Sequence, residues 1–191
     1  MRLPATALLV AIFNIFCLQP SGADNGAVAV ARVLPDVRID GDLGEWPRDM
    51  PILHVTYLGL GDPLSEAAGE TDLEVEARVS YDPATNRLFV AVHVEDESII
   101  LLEQDQGWQN QDGCDIYLHI DHQRAGEPVS QYVLWGHHSN MFGALKTGES
   151  IRHLEVQART TAVGRDYEFA IDLGDNGLDL LPHTTIGFDI A

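Results

Sequence analysis

Cysteine is scarce in this chain of 191 residues, which holds only Cys17 and Cys114. Cys17 falls inside a predicted leader segment, described below, so the mature chain would keep Cys114 alone. A single cysteine excludes an intrachain disulfide, even in an oxidising compartment. Cys114 begins a predicted strand, where a lone cysteine is more often a small buried apolar residue than a nucleophile. We therefore expect a buried, non-catalytic Cys114.

Basic residues are also few. The 11 lysines and arginines stand against 30 aspartates and glutamates, which gives a formal net charge of -19. Such a charge repels phosphate backbones and anionic lipid surfaces, so the composition argues against nucleic acid and peripheral membrane partners. It suits neutral or cationic ligands and a divalent cation such as calcium. The alternative is a secreted protein with a solvated acidic surface and no cation site.

The apolar run at residues 5–16 is too short for a comfortable membrane span. It follows the positive start Met1-Arg2 and precedes the small residues Ser21-Gly22-Ala23. These three parts make a secretory signal peptide with cleavage after Ala23. We predict a leader at residues 1–23 and a single module at residues 24–191. The mature module would be periplasmic or extracellular, with no insertion into a membrane.

Several catalytic and metal-binding signatures are missing. The sequence has no His-x-x-x-His or Cys-x-x-Cys spacing for zinc, no Gly-x-Ser-x-Gly elbow and no phosphate-cradling glycine loop. Carboxylate pairs such as Asp112 and Asp115 could run glycoside hydrolysis, but chance pairs are abundant in so acidic a chain. We predict that the chain is not itself an enzyme, and a glycoside hydrolase component is the less favoured alternative.

Short runs of alternating apolar residues dominate the rest of the chain. Runs at residues 73–81 and 88–96 flank a proline-containing turn, which predicts a β-hairpin. Further strands are predicted at residues 25–34, 52–58, 114–121, 131–135, 154–160, 167–173 and 184–191, and one helical turn at residues 97–104. Turn signals at intervals of about ten residues, without a long amphipathic helix, indicate an all-β fold, an antiparallel β-sandwich. No internal repeat suggests a propeller or solenoid.

The strand at residues 114–121 separates two sets of side chains, because successive residues of a strand point to opposite faces. The apolar set is expected to face the core and consists of Ile116, Leu118 and Ile120. The polar set faces the other way and consists of Asp115, Tyr117, His119 and Asp121. A polar loop with one large aromatic residue, Trp108, precedes the strand. An aromatic ring beside carboxylates on a rigid strand predicts a small-ligand surface.

A sugar suits such a surface, because a pyranose has C–H faces that stack on an indole and hydroxyls that bind carboxylates and amides. Trp108, Asp112 and Asp115 are therefore the candidate sugar contacts. The alternative for Trp108 is that it folds back over the edge of the core. Trp135 lies on a later strand beside Val133, a position more typical of the core, and is the fourth candidate for the site.

A turn-rich acidic segment is the candidate calcium site. Calcium needs hard oxygen ligands clustered in a loop. Asp40, Asp42 and Glu45 are spaced closely enough to supply them, and Asp121 could join from elsewhere in the fold. The segment lacks the pattern of an EF-hand, and a solvated acidic turn explains the same residues equally well. Trp46, in this segment, is expected to plug one end of the sandwich.

The chain ends at Ala191, in or just after a predicted strand. An edge strand left so abruptly suggests a natural protein that continues into downstream domains, so that this chain is a fragment or an N-terminal module. In another functional class, the same sandwich would serve as a structural or sensory ectodomain that binds no sugar.

The ordered pieces of the chain resemble the family 9 carbohydrate-binding modules, within the wider group of DOMON-like β-sandwiches. The similarity runs from residue 34 to the end and rests on IDGDLGEW at 39–46, YD at 81–82, RLFVAVHVED at 87–96, Trp108, DGCDIYLHID at 112–121, YEFAI at 167–171 and IGFDI at 186–190. The resemblance implies a noncatalytic module that binds a mono-, oligo- or polysaccharide between aromatic rings, with structural calcium. It also implies that Trp108 and Asp115 lie where the family places an aromatic and an acidic residue near the sugar. The family's later segment, which often supplies a partner aromatic and further acids, would lie past the end of this chain.

Overall fold

The chain folds into two β-sheets that pack face to face. The computed structural model describes residues 28–55, 73–102, 110–120, 129–143, 154–174 and 178–191. A short 3-10 helix, Leu43–Glu45, lies in the first of these ranges. The strands in the described ranges are β1 Arg32–Val33, β2 Leu53–His54, β3 Leu73–Asp82, β4 Arg87–Asp96, β5 Gly113–His119, β6 Ser130–Trp135, β7 His138–Gly143, β8 Leu154–Thr160, β9 Gly164–Asp172 and β10 Gly187–Ile190.

Strand pairing confirms the predicted antiparallel sandwich. Sheet A has the strand order β1-β3-β4-β9-β8, and β2 pairs with β3 beside β1. Sheet B has the order β10-β5-β6-β7. Among the described pairs, only the short pair of β1 with β3 is parallel. The predicted hairpin is also confirmed, since β3 and β4 pair along their whole length from Leu73 opposite Asp96 to Asp82 opposite Arg87.

Alternation along the strands places the core between the two sheets. Ile116 and Leu118 of β5 face Val90 of β4 and Phe169 of β9, and all four are at most 1% exposed. Burying side chains of this size stabilises the fold by roughly 1.5–3 kcal/mol each. Cys114 belongs to the same core and is 2% exposed, as the sequence predicted for a small buried residue. Burial raises the pKa of its thiol, which makes it a poor nucleophile.

A second apolar cluster lies on the opposite face of sheet A. Residues 34–50, here called the N-terminal cover, lie over this face. The buried members of the cluster are Ile39, Trp46 and Met50 from the cover and Phe89, Ala91 and Ala170 from β4 and β9. Trp46 therefore covers a sheet face, and the prediction that it plugs one end of the sandwich is wrong.

Glu168 of β9 attaches the N-terminal cover to sheet A. Its side chain is completely buried. Oε1 accepts a hydrogen bond from the Trp46 indole Nε1 at 2.7 Å, and Oε2 accepts from the backbone N–H groups of Asp40 at 3.0 Å and Gly41 at 2.7 Å. Gly41 has a φ of 79°, and a Cβ there would lie 2.9 Å from the β8 backbone. The close approach of the cover to β8 thus requires a glycine.

The structure differs from the sequence prediction at one predicted helical turn, at one strand that was not predicted and at Ile120. Residues 97–102 form no helical turn, because their backbone N–H groups bind carboxylates instead: Ser98 donates to Asp96 at 2.7 Å and Ile100 to Asp112 at 2.5 Å. Strand β7 was not predicted, because residues 138–143 do not alternate. Ile120 follows the end of β5 in a turn and is only half-buried.

Several predictions lie partly or wholly outside the described residues. The leader at residues 1–23, Trp108 and Asp121 are among them. The strands predicted at 25–34, 52–58 and 184–191 are shorter where they are described, as β1, β2 and β10. Within the described part of the chain, no helix has the length and the apolar composition that crossing a membrane requires.

Candidate functional site

The polar face predicted for β5 lies on the outside of sheet B. Tyr117 is paired directly with Gln131 of β6, and Gly113 with Trp135. Opposed residues of antiparallel strands point to the same side, as do residues two apart on one strand. The side chains of Asp115, Tyr117, Gln131 and Trp135 therefore share one surface, and we call these four residues the outer cluster.

Asp115 is the centre of the outer cluster. Its Oδ1 accepts a hydrogen bond from the Trp135 indole Nε1 at 2.8 Å, and its Oδ2 accepts from the Gln131 amide Nε2 at 2.7 Å. The Tyr117 hydroxyl lies 3.4 Å from Oδ2 and accepts from Gln131 Nε2 at 3.0 Å. Three side chains thus converge on one carboxylate, while the side-chain carbonyl oxygen of Gln131 stays outside this network.

The outer cluster is half-buried, and this changes the acidity of its members. Burial raises the pKa of Asp115, and the hydrogen bonds from Gln131, Trp135 and Tyr117 only partly oppose the effect. Burial also raises the pKa of the Tyr117 phenol, and the negative charge of Asp115 adds to it. The surface therefore presents a carboxyl group beside a phenol, and both are suitable partners for hydroxyl groups.

The position of the Trp135 indole depends on Gly113. A Cβ on Gly113 would lie 2.3 Å from Cδ1 of the indole, so the ring rests directly on the backbone of β5. Trp135 is half-buried and lies outside both apolar clusters. The prediction that Trp135 belongs to the core is therefore wrong. Trp135 instead lies beside Asp115 as part of the candidate site.

Asp112, a predicted sugar contact, lies beside the outer cluster and makes other contacts. Its Oδ2 accepts from the backbone N–H of Ile100 at 2.5 Å, and its own N–H donates to the Ile100 carbonyl oxygen at 2.9 Å. Its carbonyl oxygen accepts from the N–H of Gly136 at 2.8 Å. Asp112 thus links Ile100, which follows β4, to Gly136 in the turn between β6 and β7.

The predicted calcium ligands Asp40, Asp42 and Glu45 lie together in the N-terminal cover, and each has protein partners. Asp42 accepts from a backbone N–H of the 3-10 helix at 3.0 Å and from Arg159 at 2.8 Å, and its pKa is lowered by the first bond and then by the charge of Arg159. Asp40 pairs with the guanidinium of Arg38, and Glu45 accepts from the backbone N–H of Arg38 at 2.7 Å. A calcium ion would have to compete with these arginines, and its binding here stays a prediction.

Another group of metal-type ligands was not predicted. His54 of β2 and Glu74 and Glu76 of β3 bring their ligand atoms within 4.8 Å of one another, the one such group found among the described residues. Arg78 already places a positive charge beside it, with Nη2 3.9 Å from Oε2 of Glu76. A cation would therefore meet a partly neutralised set of ligands.

Tyr117 and Gln131 are the members of the outer cluster that were not predicted as sugar contacts. Alternation had placed Tyr117 on the face of Asp115. For Gln131 the available signal was its spacing of two and four residues from Val133 and Trp135, which predicts one shared face of β6. The register that sets Gln131 opposite Tyr117 could not be derived, because register depends on how the chain returns from one strand to the next and no local pattern specifies this.

Comparison with known proteins gives a fold. No family model matches the chain, and no curated protein sequence matches it significantly. Among solved structures, a family 9 carbohydrate-binding module from Caldicellulosiruptor kristjanssonii in complex with glucose matches at a TM-score of 0.60 and 15% identity, over 85% of this chain and 76% of that one. A structure of such a module from the same organism in complex with cellotriose matches at 0.59 and 16% identity, over 84% of this chain and 73% of that one.

The chain has the fold of a family 9 carbohydrate-binding module. The fold expected from the sequence resemblance is thereby confirmed. Within this module fold, the outer cluster lies on the exterior of the four-stranded sheet B, on its two central strands β5 and β6.

Proposed function

We propose that the chain is a noncatalytic carbohydrate-binding module whose sugar site is the outer cluster on sheet B. The observation that carries the proposal is the convergence of Gln131, Tyr117 and Trp135 on the half-buried carboxylate of Asp115. Such a surface combines a flat aromatic ring with charged and neutral hydrogen-bonding groups, which is what a pyranose needs. The modules of the same fold that hold glucose and cellotriose support a glucose-type ligand.

The outer cluster is preorganised for this task. The Asp115 carboxylate is held from both sides, by Trp135 and by Gln131, so little side-chain freedom is lost when a sugar binds. A carboxylate has about four lone-pair sites, so sugar hydroxyls can bind beside the existing donors. The side-chain carbonyl oxygen of Gln131 adds another acceptor. We propose Trp108, which precedes β5 in the sequence, as the second aromatic surface.

Titration calorimetry with glucose and cello-oligosaccharides tests the proposal. We expect the native chain to bind and Gln131→Ala to bind at least about tenfold more weakly, because the variant loses the side-chain carbonyl acceptor of Gln131 and the donor that holds Asp115 in place. Gln157→Ala is the matched control, since Gln157 is exposed on β8 in the other sheet. Trp108→Ala should also weaken binding. No affinity for any glycan, or equal losses in the two glutamine variants, would contradict the sugar site.

A structural or sensory ectodomain is the second candidate. The observation in its favour is that both oxygens of Asp115 already have protein donors, as in a network that only stabilises sheet B. In that case Gln131→Ala would lower the stability of a chain that binds no sugar. Trp108 would then be buried, and acrylamide would quench its fluorescence only weakly.

We also propose that the chain is secreted, without catalytic activity of its own, as part of a longer glycan-degrading or sensor protein. The leader-like composition of residues 1–23 supports secretion, and the family resemblance supports the rest. Sequencing the N-terminus of the secreted protein, expected at Asp24, tests the leader. A reducing-sugar assay on the isolated chain tests for hydrolysis, and the downstream reading frame shows whether further domains follow.

A further inference from the structure

A buried arginine lies between the two sheets. Arg165 is the second residue of β9 and projects inward with Tyr167 and Phe169, because residues two apart on a strand share a face. It is 3% exposed. Arginine keeps its charge in proteins, so placing its guanidinium between two sheets removes a permanent cation from water.

The contacts that Arg165 makes with the described residues do not offset the free-energy cost of burying its guanidinium. Nη2 donates to the carbonyl oxygen of Gly136 at 2.5 Å, and the guanidinium lies 5.0 Å from the centre of the Tyr167 ring. Its Nε and Nη1 have no hydrogen-bond partner among the described residues. Buried donors without partners lower the stability of a fold, so Arg165 is poorly explained as a stabilising residue.

The residue that Arg165 binds, Gly136, begins the turn between β6 and β7. It directly follows Trp135 and has a φ of 56°, which favours glycine. Its N–H donates to the carbonyl oxygen of Asp112 at 2.8 Å, and a Cβ would lie 2.0 Å from Oε1 of Gln111. Gly136 is buried, and its backbone is bound by both Arg165 and Asp112. The location of Gly136 therefore sets the start of the turn that follows Trp135.

We propose that Arg165 is a positioning residue for the sugar site, which holds Gly136 and thereby keeps the Trp135 indole against Asp115. The proposal rests on the proposed function, and Arg165 itself does not touch the sugar. Its planar guanidinium lies over the Tyr167 ring, which orients Nη2 toward the Gly136 carbonyl. Lysine has no such planar group, and an apolar side chain has no donor.

Arg165→Met and Arg165→Lys test the proposal. Methionine keeps an unbranched stem without charge, and lysine keeps the charge without the planar group. We expect glucose or cellotriose to bind about tenfold more weakly to Arg165→Met, with an intermediate loss for Arg165→Lys. In both variants the indole N–H resonance of Trp135, assigned with Trp135→Phe, should shift. The indole resonance of Trp46, which is bound to Glu168 on the far face of sheet A, should not.

Arg78→Met is the matched control, since Arg78 also has a buried, unpartnered Nε but lies on the outer face of sheet A. It should change neither the sugar affinity nor the Trp135 resonance. A double-mutant cycle separates positioning from general destabilisation: in a Trp135→Phe background, Arg165→Met should weaken binding no further. Additive losses, an unshifted Trp135 resonance, or two Arg165 variants that do not fold would overturn the proposal.

These measurements keep two failures apart. If the native chain binds no sugar, the proposed function fails, and the Trp135 resonance still reports whether Arg165 positions the indole. If the native chain and Arg165→Met bind sugar equally well, the sugar site stands and the positioning role of Arg165 is overturned.

Discussion

The position of Asp115 on sheet B determines the surroundings and the pKa of its side chain. An aspartate on an exposed strand would be fully hydrated, but here Gln131, Trp135 and Tyr117 replace water around its carboxylate. Their hydrogen bonds favour the charged form, while burial disfavours it and has the larger effect on the pKa. The Asp115 carboxylate therefore takes up a proton at a higher pH than an ordinary aspartate does.

Sugar affinity is expected to fall in mild acid for this reason. The raised pKa of Asp115 means that protonation begins at a higher pH than for an aspartate with the usual value of 3.8. The protonated carboxyl is a weaker acceptor for sugar hydroxyls. Titration calorimetry from about pH 7 down to about pH 4 should show the decline. Asp115→Asn should bind more weakly and without this pH dependence; a profile that persists in Asp115→Asn would assign it to another group.

At the scale of elements, Glu168 joins the N-terminal cover to sheet A. One buried carboxylate accepts from the Trp46 indole and from the backbone N–H groups of Asp40 and Gly41. Burial raises the pKa of Glu168, and these three donors oppose the effect. The motif around Asp40 to Trp46 therefore has a clear structural use, which is to cover Phe89 and Ala91.

Glu168→Ala should lower the free energy of unfolding by about 3 kcal/mol or more, because three buried donors lose their acceptor. Urea denaturation followed by tryptophan fluorescence measures the change. Glu155→Ala is the control: Glu155 is exposed on β8 and pairs with Arg87 at 3.0 Å, and such surface pairs contribute about 0–1 kcal/mol. Similar losses in the two variants would argue against the role of Glu168.

His93 connects β4 to β9, with Nδ1 2.5 Å from Oδ1 of Asp166 and Nε2 3.5 Å from Oε1 of Glu95. Burial lowers the pKa of His93, but Asp166 and then Glu95 outweigh it, so the pKa is raised above 6.5. A raised histidine pKa adds stability below its unfolded value, and this stability is lost as the pH rises through the folded value.

The free energy of unfolding should therefore decline as the pH rises above about 6.5. Chemical denaturation at several pH values tests this, and His93→Gln should show a flatter profile. His137→Gln changes an exposed residue of the turn between β6 and β7 and should keep the native profile. If His93→Gln keeps it too, the pair with Asp166 does not contribute.

For the whole molecule, the net charge of -19 is the dominant electrostatic property. Such an excess of one sign destabilises the compact state through self-repulsion, and dissolved salt screens it. A specific calcium site would act in addition, because a ligand that binds only the folded state stabilises it. The two effects can be separated by comparing salts at one ionic strength.

If the predicted calcium site is real, calcium chloride should raise the melting temperature more than sodium chloride at equal ionic strength. Asp42→Asn should reduce the additional gain. Asp49→Asn is the control, since Asp49 is an exposed carboxylate of the same cover that pairs with Arg32 at 2.9 Å. Equal responses to the two salts in the native chain would leave the acidic turn as a solvated, arginine-paired segment.

The sequence predicted the sandwich and much of its core because the alternation of apolar and polar residues indicates which face of a strand is buried and which is exposed to solvent. It placed Ile116 and Leu118 inside, Asp115 and Tyr117 outside, and the β3–β4 hairpin in its correct position. These properties depend on neighbours along the chain, so local patterns were sufficient.

Contacts between distant parts of the chain were decided only by the tertiary structure. The register of β5 and β6 brings Gln131 to Asp115, and the packing of the two sheets brings Arg165 to Gly136. Glu168, on the outward side of its strand, became a buried anchor because residues 34–50 fold over it. The sequence by itself determined which way each side chain points, since that follows from backbone geometry. Which partner it meets there depended on how the strands align and pack, which no local pattern specifies.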